Sequence, residues 1–141
     1  MNAIQLHRIK TSFEWFRPCG PAMVARVFKG LEDHYPGVRA LFPEDTSRLN
    51  KKLFESLSQV VARMPRFYKL ERPLMELGLE AYRHGGNPAH YRIVRNELLR
   101  ATAELAGDQW TPDLHEDWTL LLEAVSGAML RGALGGEAVA A

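Results

Sequence analysis

Apolar side chains return every three or four positions along almost the whole chain, and the interruptions are few and sharp. That period predicts amphipathic helices. Ile9, Phe13 and Phe16 mark a first stripe, and Pro18, Gly20 and Pro21 end it and open the next helix. Met23, Val24, Val27, Phe28 and Leu31 form a second stripe, closed by Tyr35-Pro36-Gly37. After the connection VRALFPEDTS, Leu49, Leu53, Leu57, Val60, Val61 and Met64 predict a third long helix, with Thr46 or Ser47 placed to cap it. Pro65 and Pro73 bracket a broken segment, and Leu70, Leu74, Leu77, Ala81 and His84 then line one face of a short helix. Gly85 and Gly86 fit its C-terminus, and Asn87-Pro88 fit the cap and first position of the next. That helix places Tyr91, Val94, Leu98, Ala101 and Leu105 inward, and Gly107 stops it. Thr111-Pro112-Asp113 begins a last helix carrying Leu114, Trp118, Leu121, Leu122, Val125 and Met129.

No run alternates with period two between hairpin signals, so the expected class is all-α, six or seven helices in one domain. The packed domain is expected over residues 1–132, with 133–141 as a flexible, glycine-rich tail. Glu116, Asp117 and Glu123 read as a solvated face of the last helix.

Composition narrows the function classes. The 141 residues are 46% hydrophobic and 25% charged, with a net charge of +1, an ordinary globular balance without a nucleic-acid footprint. No apolar run is long enough for a membrane helix, and MNAIQLHRIK lacks a signal-peptide core, so a cytoplasmic protein is expected. The single Cys19 cannot form an internal disulfide and has no His nearby in sequence to make it a catalytic thiol. His7, His34 and His115 are scattered without metal-ligand spacing, and there is no phosphate-binding Gly-rich loop or nucleophile elbow. Nothing in the pattern points to an enzyme.

The order of helices and three segments resemble the globin family. HYPGVRALFPED resembles the globin stretch that places a Phe on the haem face, here Phe42. NPAHYRIVRNELL is similar to the start of the long penultimate helix of bacterial single-domain globins. GDQWTPDLHEDWTLLLEAV is similar to their last helix, with Trp118 in its usual place. The resemblance covers roughly residues 4–130 and implies the globin fold.

Carried over residue by residue, it also implies a loss. Such globins usually read Leu-Gly-x-x-His, the His binding haem iron; this chain reads Leu77-Gly78-Leu79-Glu80-Ala81, so the proximal position is Ala81. The distal position falls on Leu49, at the interval the family keeps, and the usual distal Tyr position and the one a turn past Leu49 fall on Phe28 and Leu53. Each departure removes a polar group. The implied pocket, Phe28, Phe42, Leu49, Leu53, Leu77, Ala81, His84 and Tyr91, is vestigial: either a filled core or an open apolar pocket.

The expected reading is a haem-free binding or regulatory module, taking an apolar small molecule or a protein partner, with a homodimer as one form of the latter. No nucleic acid, membrane, cofactor or metal is expected. The alternative is haem b bound with unusual ligation, through His84 or an exogenous ligand, in a protein that binds a diatomic gas or transfers electrons. His84 follows Ala81 by three residues, about 60° around the helix and about 4.5 Å along it. As a helix-end residue it competes with that role by bonding carbonyls or water. Tyr82 points about 100° away from Ala81. His90-Tyr91 matches a family pair for which packing and hydrogen bonding at the helix start is the favoured role. Lys52 matches a basic position that reaches haem propionates in relatives, with a solvated lysine as the equal alternative.

Overall fold

Several helix ends have a local chemical cause. In the computed structural model, α1 spans Ala3–Phe16, α2 Ala22–His34, α3 Pro36–Arg39, α4 Ser47–Ala62, α5 Glu71–Arg83, α6 Pro88–Ala106 and α7 Pro112–Ala140. The structure describes residues 1–64, 66, 70–83 and 87–140; the side chains of Leu77, Glu80, Ala81, Tyr82, Pro88 and residues 136–140 lie outside the description. No strand occurs among the described residues.

Asn2 and Gln5 form a reciprocal capping box at the start of α1, with bonds of 2.8 and 2.9 Å. The expected break before α2 is a three-residue 3₁₀ turn, Arg17–Cys19, followed by Gly20 at φ 55°, a conformation that favours glycine. Neither Thr46 nor Ser47 caps α4 with its side chain. Asp45 does so: its Oδ1 accepts from the Ser47 hydroxyl at 2.7 Å and the Ser47 amide at 3.0 Å, which holds its carboxyl below the usual range. Asn87 caps α6 as expected, accepting from the Ala89 amide at 3.0 Å. The last helix runs past the boundary expected at residue 132 to Ala140. Ala133 is buried there, and Gly132 backs on Met75, so tertiary packing overrides the low helix propensity of the glycines.

The main core sits where α1, α4, α6 and α7 meet. Trp118 is fully buried, with the rings of Phe16 and Phe13 at 6.1 and 6.4 Å, and Phe13 stacks on Phe54 at 5.7 Å. The indole N–H of Trp118 donates to Ser12 Oγ at 2.9 Å, and Ser12 in turn donates to the Ile9 carbonyl. Next to Trp118, Asp117 is not part of a wet face. It is 1% exposed and accepts a two-pronged bond from Arg8 at 2.5 and 3.0 Å. This bond and the surrounding carboxylates raise the pKa of the Arg8 guanidinium. Glu116 and Glu123 are exposed, as the pattern predicts.

Two glycine contacts set helix spacing. A Cβ on Gly78 of α5 would overlap the Met129 carbonyl of α7, and one on Gly132 of α7 would overlap the Met75 carbonyl of α5. The two contacts run antiparallel, so α5 and α7 touch backbone to backbone. Between α2 and α6, Gly30 makes room for the buried Glu97, which accepts from Arg100 at 2.6 and 3.1 Å and lies 3.2 Å from His34 Nδ1.

Candidate apolar pocket

A second, smaller apolar cluster forms where α2, α3 and the start of α4 converge on α6. Val24, Phe28, Leu31 and Val38 are its buried floor. Phe42, Leu49, Leu53, Phe54, Ile93 and Val94 pack against that floor yet remain partly open to solvent. Helical spacing explains the convergence: Val24, Phe28 and Leu31 share one face of α2, and Leu49 and Leu53 share one face of α4. Burying the open part of such walls is favourable at about 25 cal/mol per Å².

The ring of Phe42 meets that of Phe28 edge-on, 5.1 Å between centroids. Arg39 lies over the Phe28 ring at 5.7 Å. The same guanidinium donates to three successive carbonyls of the following loop: Phe42 at 3.4 Å, Pro43 at 2.9 Å and Glu44 at 3.0 Å.

The structure therefore brings Phe28, Phe42, Leu49 and Leu53 into one wall. Tyr91 is half-buried apart from this cluster, on α6, where its hydroxyl donates to the Gly78 carbonyl at 3.4 Å and burial raises its pKa. Leu77 and Ala81 lie on α5 with side chains outside the described residues, as does that of Tyr82; His84 lies outside them altogether. His90 takes the expected structural role, its Nδ1 accepting from the Asn87 amide at 3.3 Å in the α6 capping box. Lys52 is exposed. Sequence reasoning missed Arg39; the only signal for it is a basic residue three positions before the pocket phenylalanine.

Comparison with known proteins finds globin relatives. No family model matches the chain. A solved structure of an engineered carbene transferase, built on a candidate nitric oxide dioxygenase of Rhodothermus marinus, superposes with a TM-score of 0.87 at 22% identity, over 99% of this chain and 97% of that one. A flavohemoprotein of Vibrio cholerae is 25% identical over 114 residues, 79% of this chain. Leghemoglobin-1 of Lupinus luteus is 23% identical over 140 residues, covering 89% of this chain and 91% of its own length. The chain is similar to globins in sequence and shares their fold.

The chain spans only 29% of the length of the flavohemoprotein it matches. An uncharacterized globin-like protein of Aquifex aeolicus is also similar, at 25% identity over 97 residues and 70% of its length. Haem asks two things of a globin: apolar area for its ring and a donor atom for its iron. The wall supplies the first. Phe28, Phe42, Leu49 and Leu53 themselves carry no donor atom for iron. Among the described residues, no group of three or more His, Cys, Asp or Glu could hold a metal ion. This face of the cluster is apolar; the side chains of Leu77 and Ala81, and His84 altogether, lie outside the described residues. No helix among the described residues is long and apolar enough to cross a membrane.

Proposed function

We propose that this chain works without protein-ligated haem, as a cytoplasmic binding or regulatory module rather than an enzyme. It takes an apolar small molecule in the pocket walled by Phe28, Phe42, Leu49 and Leu53 and acts through contacts with a protein partner or a second copy of itself. The observation that carries this reading is that Phe28, Phe42, Leu49 and Leu53 come together as apolar side chains, with Leu49, Leu53, Ile93 and Val94 beside them partly open. It agrees with alanine at position 81, since a methyl group has no lone pair for a metal.

Purification from cells supplied with haem tests the proposal. The expected product is colourless, with iron far below one atom per chain. A strong Soret band with stoichiometric iron would overturn it. That outcome would favour the second reading, which the names of the flavohemoprotein and leghemoglobin relatives support: haem b held through His84 or an exogenous ligand. His84→Ala then separates the two ligands, because loss of the spectrum assigns His84 and an unchanged spectrum excludes it.

A further inference from the structure

We infer that the loop of residues 40–46 is the movable wall of the apolar pocket, and that Arg39 is the fastening that holds it shut. The inference rests on the pocket reading above and specifies how that pocket is entered.

The loop has little backbone support of its own. Its last backbone bonds on the α3 side are Leu41 N–H to Val38 O at 3.0 Å and Phe42 N–H to Arg39 O at 3.1 Å. On the α4 side, backbone bonding resumes with the Asn50 amide and the Thr46 carbonyl, at 2.7 Å. Between those points the chain carries Pro43, which has no N–H to donate. The carbonyls of Phe42, Pro43 and Glu44 all accept from one side chain, the Arg39 guanidinium. A planar fork with five N–H donors suits this task, and a lysine ammonium could not span the three acceptors in the same way.

The fastening is coupled to the pocket at both ends. Arg39 packs over the face of Phe28 on the pocket floor. The loop it holds carries Phe42, which closes edge-on against the same Phe28 ring. Leu41 is 52% exposed, so Phe42 is the apolar side chain that the loop contributes to the wall. Releasing Arg39 frees Phe42 and opens the corner between α2 and α4, where Leu49 and Leu53 are already partly open. Arg39 is a positioning residue: it holds the wall and need not touch the ligand.

The test uses the full chain and two readouts. Stopped-flow fluorescence with N-phenyl-1-naphthylamine, an uncharged apolar probe, measures entry and exit. Arg39→Gln should speed both rates by about tenfold, the effect of losing charge-assisted bonds to the carbonyls, with a smaller change in equilibrium affinity. Arg39→Lys should fall between that variant and the wild type. Separately, cleavage after the exposed Glu44 by a glutamyl endopeptidase should be faster in Arg39→Gln, under conditions where circular dichroism shows both proteins folded. Unchanged probe rates or unchanged cleavage would overturn the strap. A probe that binds neither protein, with cleavage still accelerated, would overturn the pocket reading and its gating while leaving Arg39 as the loop's fastening.

Discussion

Gly132 of α7 lies against the Met75 carbonyl of α5 with no room for a side-chain carbon between them. Gly78 repeats the relationship in reverse against Met129. The line of α5, the helix that carries Ala81, is therefore constrained by α7. On an open helix face, replacing glycine by alanine gains up to about 1 kcal/mol. At Gly132 the sign should reverse, because the colliding atoms are backbone and cannot swing aside. Gly132→Ala is expected to lose about 2 kcal/mol in urea unfolding. Gly135, about one helical turn on, has open space within 4 Å of where a Cβ would sit, so Gly135→Ala should be neutral or stabilising. Equal effects at the two positions would show that the seam does not constrain α5.

Trp118 and Ser12 tie α7 to α1 through one buried bond of 2.9 Å. Both side chains are fully buried, so no water can replace the hydroxyl. Ser12→Ala leaves the indole N–H without an acceptor and should cost about 2 kcal/mol. Ser12→Thr keeps an acceptor but adds a methyl to a filled site, so it tests bulk rather than bonding. A Ser12→Ala loss below a few tenths of a kcal/mol would mean that the bond is not intact in solution.

What is legible in the sequence is whatever local periodicity encodes. The stripe Ile9, Phe13, Phe16 and the face Leu114, Trp118, Leu121, Leu122 are buried as their spacing predicts. Asn87 announces its cap because its partner, Ala89, is two residues away. Asp117 escapes the pattern because its partner is Arg8, 109 residues distant, and spacing along α7 alone cannot reveal that. Glu97 is hidden for a similar reason: its burial depends on Gly30 opening a gap in α2, a contact that exists only once α2 and α6 cross. Glycine's low helix propensity is local, whereas Gly132 is kept helical by the close approach of α5. At the pocket, Phe28, Phe42, Leu49 and Leu53 are legible as apolar positions, but Arg39's grip on the loop follows from three-dimensional reach.

The Tyr91 phenol offers a pH measurement. Burial raises its pKa, so the neutral form is favoured in the folded chain. A raised folded value means that this contribution to stability is present below the ordinary tyrosine range and is lost as pH climbs through the folded value. Ultraviolet difference titration should contain a late-ionising component that Tyr91→Phe removes. The variant should also lose less stability than the wild type as pH rises above about 10, the ordinary tyrosine value. A titration curve that keeps its late component in Tyr91→Phe would assign that component elsewhere.

Introducing a donor at position 81 tests the reading that Ala81 stands at the proximal position of a haem site. A His in place of Ala81 would add an imidazole on α5, a helix already held in place by its glycine contacts with α7. Phe42, Leu49 and Leu53 offer hydrocarbon surface that suits a porphyrin face. Ala81→His is therefore expected to gain a Soret band and iron approaching one atom per chain when haem is supplied. Ala81→Phe adds comparable bulk without a donor and should stay colourless, which separates coordination from simple filling of space. Both variants should be checked for folding by circular dichroism. If folded Ala81→His gains no haem, the helices have closed over the site, and the apolar pocket is then confined to the corner beneath Phe42.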